Sequence, residues 1–181
     1  MAKQRQLKFS GEGFSSPEDC FGGSLLKNSH AKETRPLESK LPIHLVLRPS
    51  KSHLRLPKNF QRVNFCVDKT AKRHGVRIYK YSNNGDHLHM VIKIPTRRRW
   101  AAFIRELTGK IAYLVQDLGG RRKGAETFWK QRPFTRIVRS WKQAFRDVCD
   151  YVELNFLEAE GFISRQETSS LKELRLLFSD G

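Results

Sequence analysis

Two histidines lie two residues apart in an otherwise apolar stretch, GDHLHMVIKIP, at residues 85–95. Every second residue from Leu88 to Ile94 is apolar, and this period-2 alternation predicts a half-buried β-strand. His87 and His89 then share the face opposite the core. Two neutral imidazoles at i and i+2 on a rigid strand can bind one metal ion, although such pairs also occur at surfaces and in hydrogen-bonded cores.

A tyrosine and an amide share one face of the last predicted long helix. In DYVELNFLEAEG, residues 150–161, Tyr151 and Asn155 are i and i+4, about 40° apart around a helix. Their face continues that of Ala144 and Val148, which we expect to lean towards the sheet. The phenol and the amide would then lie together at the surface that carries the two histidines, although amphipathic packing alone also accounts for a tyrosine here.

The order of elements predicts the scaffold that positions these side chains. Strands are predicted at 42–49, 76–81, 85–95 and 132–140, and helices at 58–74, 97–118 and 141–159. The order β-α-β-β-α-β-α predicts an α+β fold of the ferredoxin-like, split βαβ kind, an antiparallel sheet with two helices on one face. The additional C-terminal helix carries the tyrosine. The first two helices would cover the apolar side of the histidine strand and leave its histidine side open.

Composition divides the chain into three parts. Residues 1–40 have no sustained periodicity and predict an extended basic arm, residues 41–163 one domain, and residues 164–181 a short tail. Within the domain, we expect His44 on the first strand and His74 at a helix end to be structural. The spacing of Tyr79 and Tyr81 predicts that they share one face of the second strand, where we expect them to pack against the last helix, with stacking of unpaired bases as the alternative.

The charge of the chain predicts a polyanionic partner. It carries 35 Lys and Arg against 18 Asp and Glu, a net charge of +17, and its pI is near 10.3. Such an excess favours nucleic acid, although a solvated basic surface is the alternative. No apolar run approaches the roughly 20 residues of a membrane span. Three cysteines without CxxC spacing are typical of a reducing compartment. We therefore expect a cytoplasmic, nucleoid-associated protein with no membrane partner, as a monomer or homodimer.

Several basic residues are candidates for DNA contacts. Three arginines begin the helix at 97, where the macrodipole disfavours cations unless a phosphate is bound nearby. Three more cations occupy a glycine-flanked loop at 119–124, one lies in the N-terminal arm and one on the last strand. The predicted DNA-binding set is Arg97, Arg98, Arg99, Arg121, Arg122, Lys123, Arg35 and Arg136.

The ordered pattern of His87-Leu88-His89 on a strand and Tyr-x-x-x-Asn on the last helix resembles the HUH single-tyrosine transposases. It is most similar to the REP-associated tyrosine transposases, relatives of the IS200-like enzymes, over residues 41–163. The segments IHLVLR, KRHGVRIYKY, FWKQRPFTRIVRS and YVELNFLEAEGFI carry the likeness. One departure is Asn84-Gly85-Asp86 before the histidine pair, where family members commonly have Met-Pro-Asn.

The resemblance implies an enzyme that nicks single-stranded DNA beside a hairpin through a covalent 5′-phosphotyrosine. Tyr151 would be the nucleophile, His87 and His89 the metal ligands, and Asn155 a third ligand or an orienting group. A nitrogen-rich donor set favours Mn²⁺ by ligand type, whereas availability favours Mg²⁺, so either divalent metal fits. Zinc fits less well, because an amide is a poor third ligand for it.

Two other functions remain open from the sequence. One is a non-catalytic nucleic-acid-binding module descended from such an enzyme, and the other is a zinc-dependent hydrolase that uses the same histidines. Retention of both His87/His89 and Tyr151 favours the enzyme over the inactive module. The hydrolase lacks a convincing third strong ligand, although Asp86 is adjacent.

Overall fold

A computed structural model describes residues 17–23, 34–51, 53–116, 127–140 and 142–164. It is an α+β fold, as predicted. Its elements, in chain order, are a 3₁₀ turn Pro17–Asp19, β1 Cys20–Phe21, β2 Ile43–Leu47, α1 Pro57–His74, β3 Arg77–Asn83, β4 Leu88–Lys93, α2 Arg97–Gln116, β5 Phe134–Ile137 and α3 Gln143–Glu160. Every strand and helix predicted from the periodicity is present, with ends displaced by a few residues.

The five strands form one antiparallel sheet in the order β1-β5-β2-β4-β3. The four strands from β2 to β5 have the ferredoxin-like arrangement, with β2 and β4 in the centre. β1 belongs to the segment predicted as an extended arm, and it extends the sheet at the β5 edge through Cys20 and Phe21. Part of the arm therefore joins the sheet, while the proposed boundaries at 40 and 163 stay predictions.

The main core lies between one face of the sheet and helices α1 and α2. The apolar side of β4 faces these helices: Leu88, Met90, Ile92 and Ile94 are all at most 1% exposed. α1 begins with Pro57, whose missing N–H costs nothing in a first turn, and ends at Gly75 in the left-handed conformation. The alternation in β4 thus orients its histidines towards the opposite face, as the sequence predicts.

α3 covers that opposite face. A second, smaller apolar cluster joins Val91 of β4 to one stripe of the helix, formed by Ala144, Val148, Cys149 and Val152. Phe145 packs edge-on against Tyr79 of β3, with the ring centroids 5.2 Å apart. Because the stripe recurs every three to four residues, the same side of α3 that packs on the sheet also carries the site residues further along.

The prediction that Tyr79 and Tyr81 share a face is wrong. The register of β3 against β4 shifts between Ile78 and Lys80, which is a β-bulge and breaks the alternation. Tyr79 packs against α3, whereas Tyr81 packs on the main core and donates a hydrogen bond to Asn64 of α1 at 2.8 Å.

In the parts of the chain that the structure describes, no helix is long and apolar enough to cross a membrane. The basic loop at 119–124 and the tail from 165 onward lie outside the described residues.

Candidate active site

The two histidines of the motif lie at the start of β4 and are both buried. His87 ends the turn that leads from β3, and His89 is the second residue of the strand. Each is 5% exposed, and their ring centroids are 4.4 Å apart with the planes at 78°. The sequence-predicted pair is therefore a close, nearly perpendicular pair of imidazoles on a central strand.

The turn before β4 fixes the orientation of His87. Its Nδ1 lies 2.5 Å from Asp86 Oδ1, and its Nε2 lies 3.2 Å from the amide nitrogen of Asn84. Since the Asn84 amide donates, Nε2 carries a lone pair and the ring proton lies on Nδ1. Burial raises the pKa of Asp86, but the hydrogen bond from His87 and the charges of His87 and Arg48 together outweigh it, so the net pKa lies below its usual range.

A third histidine, His44 of β2, contacts His89. His44 Nε2 lies 3.0 Å from His89 Nδ1, and the two ring planes are within 10° of each other. His44 is 5% exposed, and its pKa is lowered from 6.5 to about 3 by burial first and then by the positive charge of Arg136. The ring is therefore neutral near pH 7.

Tyr151 of α3 lies against two of these rings. Its ring centroid is 5.3 Å from that of His89 and 6.2 Å from that of His44, with both pairs edge-on. The side chain is half-buried. The structure therefore brings the predicted nucleophile and the predicted histidine pair together within one chain.

Asn155 lies one turn beyond Tyr151 and is 7% exposed. Its Oδ1 accepts a hydrogen bond from Asn84 Nδ2 at 3.4 Å, and its own amide donates to the Tyr151 carbonyl at 2.7 Å. The amide of Asn84 thus faces both His87 and Asn155. Three of the four residues predicted for the site are linked through this turn and α3, and the fourth, His89, is in ring contact with two of them.

Two charged contacts fix the helix over the histidine turn. Arg55 donates to the Asn83 carbonyl at 2.9 Å and pairs with Glu160 of α3 at 3.0 Å. Lys80 of β3 pairs with Glu153 of α3 at 2.7 Å. Together with the apolar stripe, these contacts hold the face of α3 that carries Tyr151 against the sheet.

Arg136 of β5 lies at the edge of the same site. It pairs directly across from His44 in the register of β2 and β5, so both side chains point to the α3 face. Burial lowers the pKa of its guanidinium, which Cys20 and Tyr151 partly offset. A partly buried cation therefore lies near the phenol.

Sequence patterns alone indicated neither His44 nor Asn84 for the site. The signal for His44 is the alternation of β2: Ile43, Leu45 and Leu47 face the core, so His44 must face the other way, on a strand that neighbours β4 in the predicted topology. Asn84 falls in a turn and carries no periodic signal, so only the structure identifies its contacts.

The family model described as "Transposase IS200 like" matches residues 38–155, well over half of the chain. The chain belongs to the IS200-like transposase family. The resemblance predicted from the HLH and Tyr-x-x-x-Asn motifs is thereby confirmed. The matched range contains all of the sequence-predicted tyrosine, histidine and asparagine positions.

The fold agrees with that of a solved structure. This transposase is similar to a REP-associated tyrosine transposase solved bound to a REP hairpin, with 14% identity, a TM-score of 0.57 and coverage of 74% of this chain and 76% of that one. A candidate transposase of Deinococcus radiodurans R1 also matches, with 14% identity, a TM-score of 0.43 and coverage of 68% and 97%. No curated protein matches the chain in sequence.

The donor set of this transposase fits a divalent cation at two imidazoles and an amide. Asp86 accepts from His87 Nδ1, the outer-sphere arrangement that metal-bound histidines usually have. Among the described residues, no group of three His, Cys, Asp or Glu side chains is arranged to hold a metal. His44 does not act as a third ligand here, because its Nε2 points at His89 Nδ1.

The predicted DNA-binding residues lie in different surroundings. Arg97, Arg98 and Arg99 are exposed at the start of α2, where Thr96 Oγ1 accepts a hydrogen bond from the Arg99 backbone. Arg35 has partners inside the protein: it donates to Thr135 Oγ1 at 2.6 Å and lies over the Phe21 ring at 4.4 Å. Burial and Arg132 lower the pKa of Arg35 to about 10. Its role in DNA binding stays a prediction.

Arg121, Arg122 and Lys123 lie outside the described residues.

Proposed function

We propose that this IS200-like transposase cuts and rejoins single-stranded DNA through a covalent bond to Tyr151. The observation that carries the proposal is the position of the Tyr151 ring, 5.3 Å from His89 and on the same face of the sheet as His87. A tyrosine that only packed α3 on the sheet would not need a buried polar turn and two imidazoles beside it. The neighbouring residues supply the hydrogen-bonding groups and positive charge that the chemistry requires.

The proposed step is a transesterification. The phenolic oxygen of Tyr151 forms a bond to the phosphorus, the bond from phosphorus to the 3′-oxygen breaks, and the DNA 5′ end remains on the tyrosine. The phenol loses one proton and the 3′-oxygen gains one, so the step is balanced. It is also reversible, because one phosphodiester replaces another, and this suits strand joining better than degradation.

The phenol must be activated for this step. An ordinary tyrosine phenol is almost wholly protonated at neutral pH, so a neighbouring base or positive charge must help to remove its proton before it attacks phosphorus. Arg136 lies near Tyr151 and would stabilise the phenolate and the phosphate together. The edge-on contact with His89 holds the Tyr151 ring in place.

His87, His89 and Asn155 would hold a divalent metal, Mg²⁺ or Mn²⁺. When bound, such an ion supplies Lewis-acid polarisation of the phosphate and charge stabilisation at the leaving oxygen. The chain's own part is to fix the ligands: Asp86 orients His87, and the Asn84 amide, which donates to His87 Nε2 and Asn155 Oδ1 in this structure, would release His87 Nε2 to the ion.

The substrate we propose is single-stranded DNA that contains a hairpin. The net charge of +17 favours a polyanion, and the exposed arginines at 97–99 offer phosphate contacts. A fold relative was solved bound to a REP hairpin. Binding by this transposase should therefore weaken steeply as salt is raised.

The test is an adduct assay. The full chain is incubated with a 5′-extended hairpin oligonucleotide and Mg²⁺ or Mn²⁺, and SDS-resistant protein–DNA bands are counted. Tyr151→Phe should abolish the band and leave hairpin affinity within a few-fold, since only the phenolic oxygen is removed. Tyr113→Phe is the matched control, because Tyr113 is 62% exposed on α2, on the far side of the sheet.

Three outcomes decide the proposal. A band in wild type and in Tyr113→Phe, absent in Tyr151→Phe, supports it. A Tyr151→Phe protein that still forms the band refutes the assignment of the nucleophile. Hairpin binding with no band from any variant, in either metal, would favour the non-catalytic module.

A further inference from the structure

Among the described residues of the site, His44 is buried and has no role in the proposed chemistry. It lies diagonally from His89 on the neighbouring strand, since His44 pairs with Val91 and Val46 pairs with His89. Diagonal side chains on one face of a sheet are within reach when one of them is an aromatic ring. Here they meet ring to ring, with His44 Nε2 3.0 Å from His89 Nδ1.

One proton is shared in the hydrogen bond between these two nitrogens. Which of the two nitrogens carries it determines whether His89 Nε2 has a lone pair for a cation. A neutral imidazole has one N–H and one lone pair. If His44 donates, the proton of His89 is on Nε2, and that nitrogen cannot bind a cation. If His89 donates from Nδ1, its Nε2 keeps the lone pair, and His44 must accept.

We propose that His44 is a positioning residue, which accepts the Nδ1 proton of His89 and thereby directs the Nε2 lone pair of His89 to a divalent cation. This inference rests on the proposed function, in which His87 and His89 hold that cation. His44 would then accept from His89 Nδ1 as Asp86 accepts from His87 Nδ1, so each histidine would have an outer hydrogen-bond partner.

The surroundings of His44 suit an acceptor. The ring is held edge-on between Phe134, at 6.4 Å, and Tyr151, at 6.2 Å, so it has little freedom to turn away. The cross-strand neighbour of His44 on β5 is Arg136, whose guanidinium has donors but no acceptor, so it offers no partner for a proton on the His44 ring.

Two substitutions distinguish the role of His44 as a hydrogen-bond acceptor from its role in packing. His44→Phe keeps an aromatic ring between Phe134 and Tyr151 and removes both ring nitrogens, including Nδ1, which has no hydrogen-bond partner in the described structure. It also leaves His89 Nδ1 without its partner, so the unfolding midpoint and circular dichroism are measured alongside to establish that the variant is folded. His44→Gln restores an oxygen that can accept at about the place of Nε2.

The first measurement is the affinity of the DNA-free protein for Mn²⁺, followed by the electron paramagnetic resonance of the free ion. We expect His44→Phe to raise the dissociation constant about tenfold or more, the usual cost of losing an outer partner. His44→Gln should recover most of that loss. His74→Phe is the matched control, since His74 is a buried histidine of the main-core side that hydrogen-bonds Glu106.

The second measurement is ¹⁵N NMR of the histidine rings with saturating Mg²⁺. In wild type, we expect the one-bond N–H coupling at His89 Nδ1 and a coupling through the hydrogen bond to His44 Nε2. If His44 only packed the core, it would not affect Mn²⁺ affinity, and the proton would have no reason to lie on His89 Nδ1 rather than on His44 Nε2.

The inference is overturned if His44→Phe binds Mn²⁺ as tightly as wild type, if His44→Gln fails to recover affinity, or if the proton stays on His44 Nε2 with Mg²⁺ bound. These readouts use no DNA, so a failure of the adduct assay does not affect them. A wild-type protein without saturable Mn²⁺ binding would refute the metal site and this inference together.

Discussion

The contact of Arg55 with two separate parts of the site allows a quantitative prediction. Its guanidinium donates to the Asn83 carbonyl at 2.9 Å, pairs with Glu160 of α3 at 3.0 Å and lies over the Phe60 ring at 4.8 Å. It therefore connects the histidine turn, the tyrosine helix and α1. The perturbation is Arg55→Met, which keeps the apolar stem and removes the charge and the donors.

The expected loss follows from these three contacts. A hydrogen bond from a charged donor contributes about 1.5 kcal/mol or more. The pair with Glu160 is about one-quarter exposed on both sides, so it contributes about 0.5 kcal/mol, and the cation–π contact contributes about 0.5 to 1 kcal/mol. Because water will solvate part of the freed carbonyl, we expect Arg55→Met to lower the free energy of unfolding by about 2 kcal/mol.

The assay is urea unfolding, combined with the initial rate of adduct formation. Arg55→Met should lower the urea concentration at the unfolding midpoint without changing the dependence of the unfolding free energy on urea. It should also slow adduct formation by about tenfold or more, since small displacements of reacting groups are costly. A cycle with Glu160→Gln should give a coupling energy of about 0.5 kcal/mol. A loss below about 0.5 kcal/mol with an unchanged adduct rate would refute the view that Arg55 holds α3 against the turn.

Three further results are expected. Asn84→Leu removes the amide that links the turn to α3, so it should slow adduct formation by about tenfold while hairpin affinity holds; an unchanged rate would contradict the link. Hydrogen bonds from Lys110 and His74 lower the pKa of Glu106 to about 2, so the stability it adds is present above about pH 4.5 and is lost towards pH 2. The free energy of unfolding should therefore fall less between pH 4.5 and pH 2 in Glu106→Gln than in wild type, and an equal fall in the two proteins would contradict this. Replacing the arginines at 97–99 with Gln should reduce the salt slope of hairpin binding by up to about 2, whereas an unchanged slope would remove them from the interface.

Much of the fold follows from local periodicity. The alternation from Leu88 to Ile94 and the stripe from Trp100 to Val115 gave the correct elements, because burying one face of each is the strongest constraint on them. Tyr81 shows where the reasoning stops. A single β-bulge at Tyr79 turns the Tyr81 side chain to the other face of the sheet, and no pattern in the sequence of the strand predicts the bulge.

The site was predictable to the extent that it lies on regular elements. His87, His89, Tyr151 and Asn155 lie together because strand alternation and helical spacing point them to one face. Asn84 and Arg55 could not be found, because their contacts depend on a turn and a loop. His44 lay within reach of prediction, since the alternation of Ile43, Leu45 and Leu47 in the predicted strand places its side chain on the face opposite the core.

The most direct test of the central claim is the chemical identity of the adduct. The gel-purified protein–DNA band is digested with nuclease and trypsin, and the modified peptide is sequenced by mass spectrometry. The result expected is a nucleotide 5′-phosphate on the phenolic oxygen of Tyr151, dependent on both His87 and His89. A phosphate bound to any other residue, or an unmodified Tyr151 in protein that has cut its hairpin, would contradict the claim.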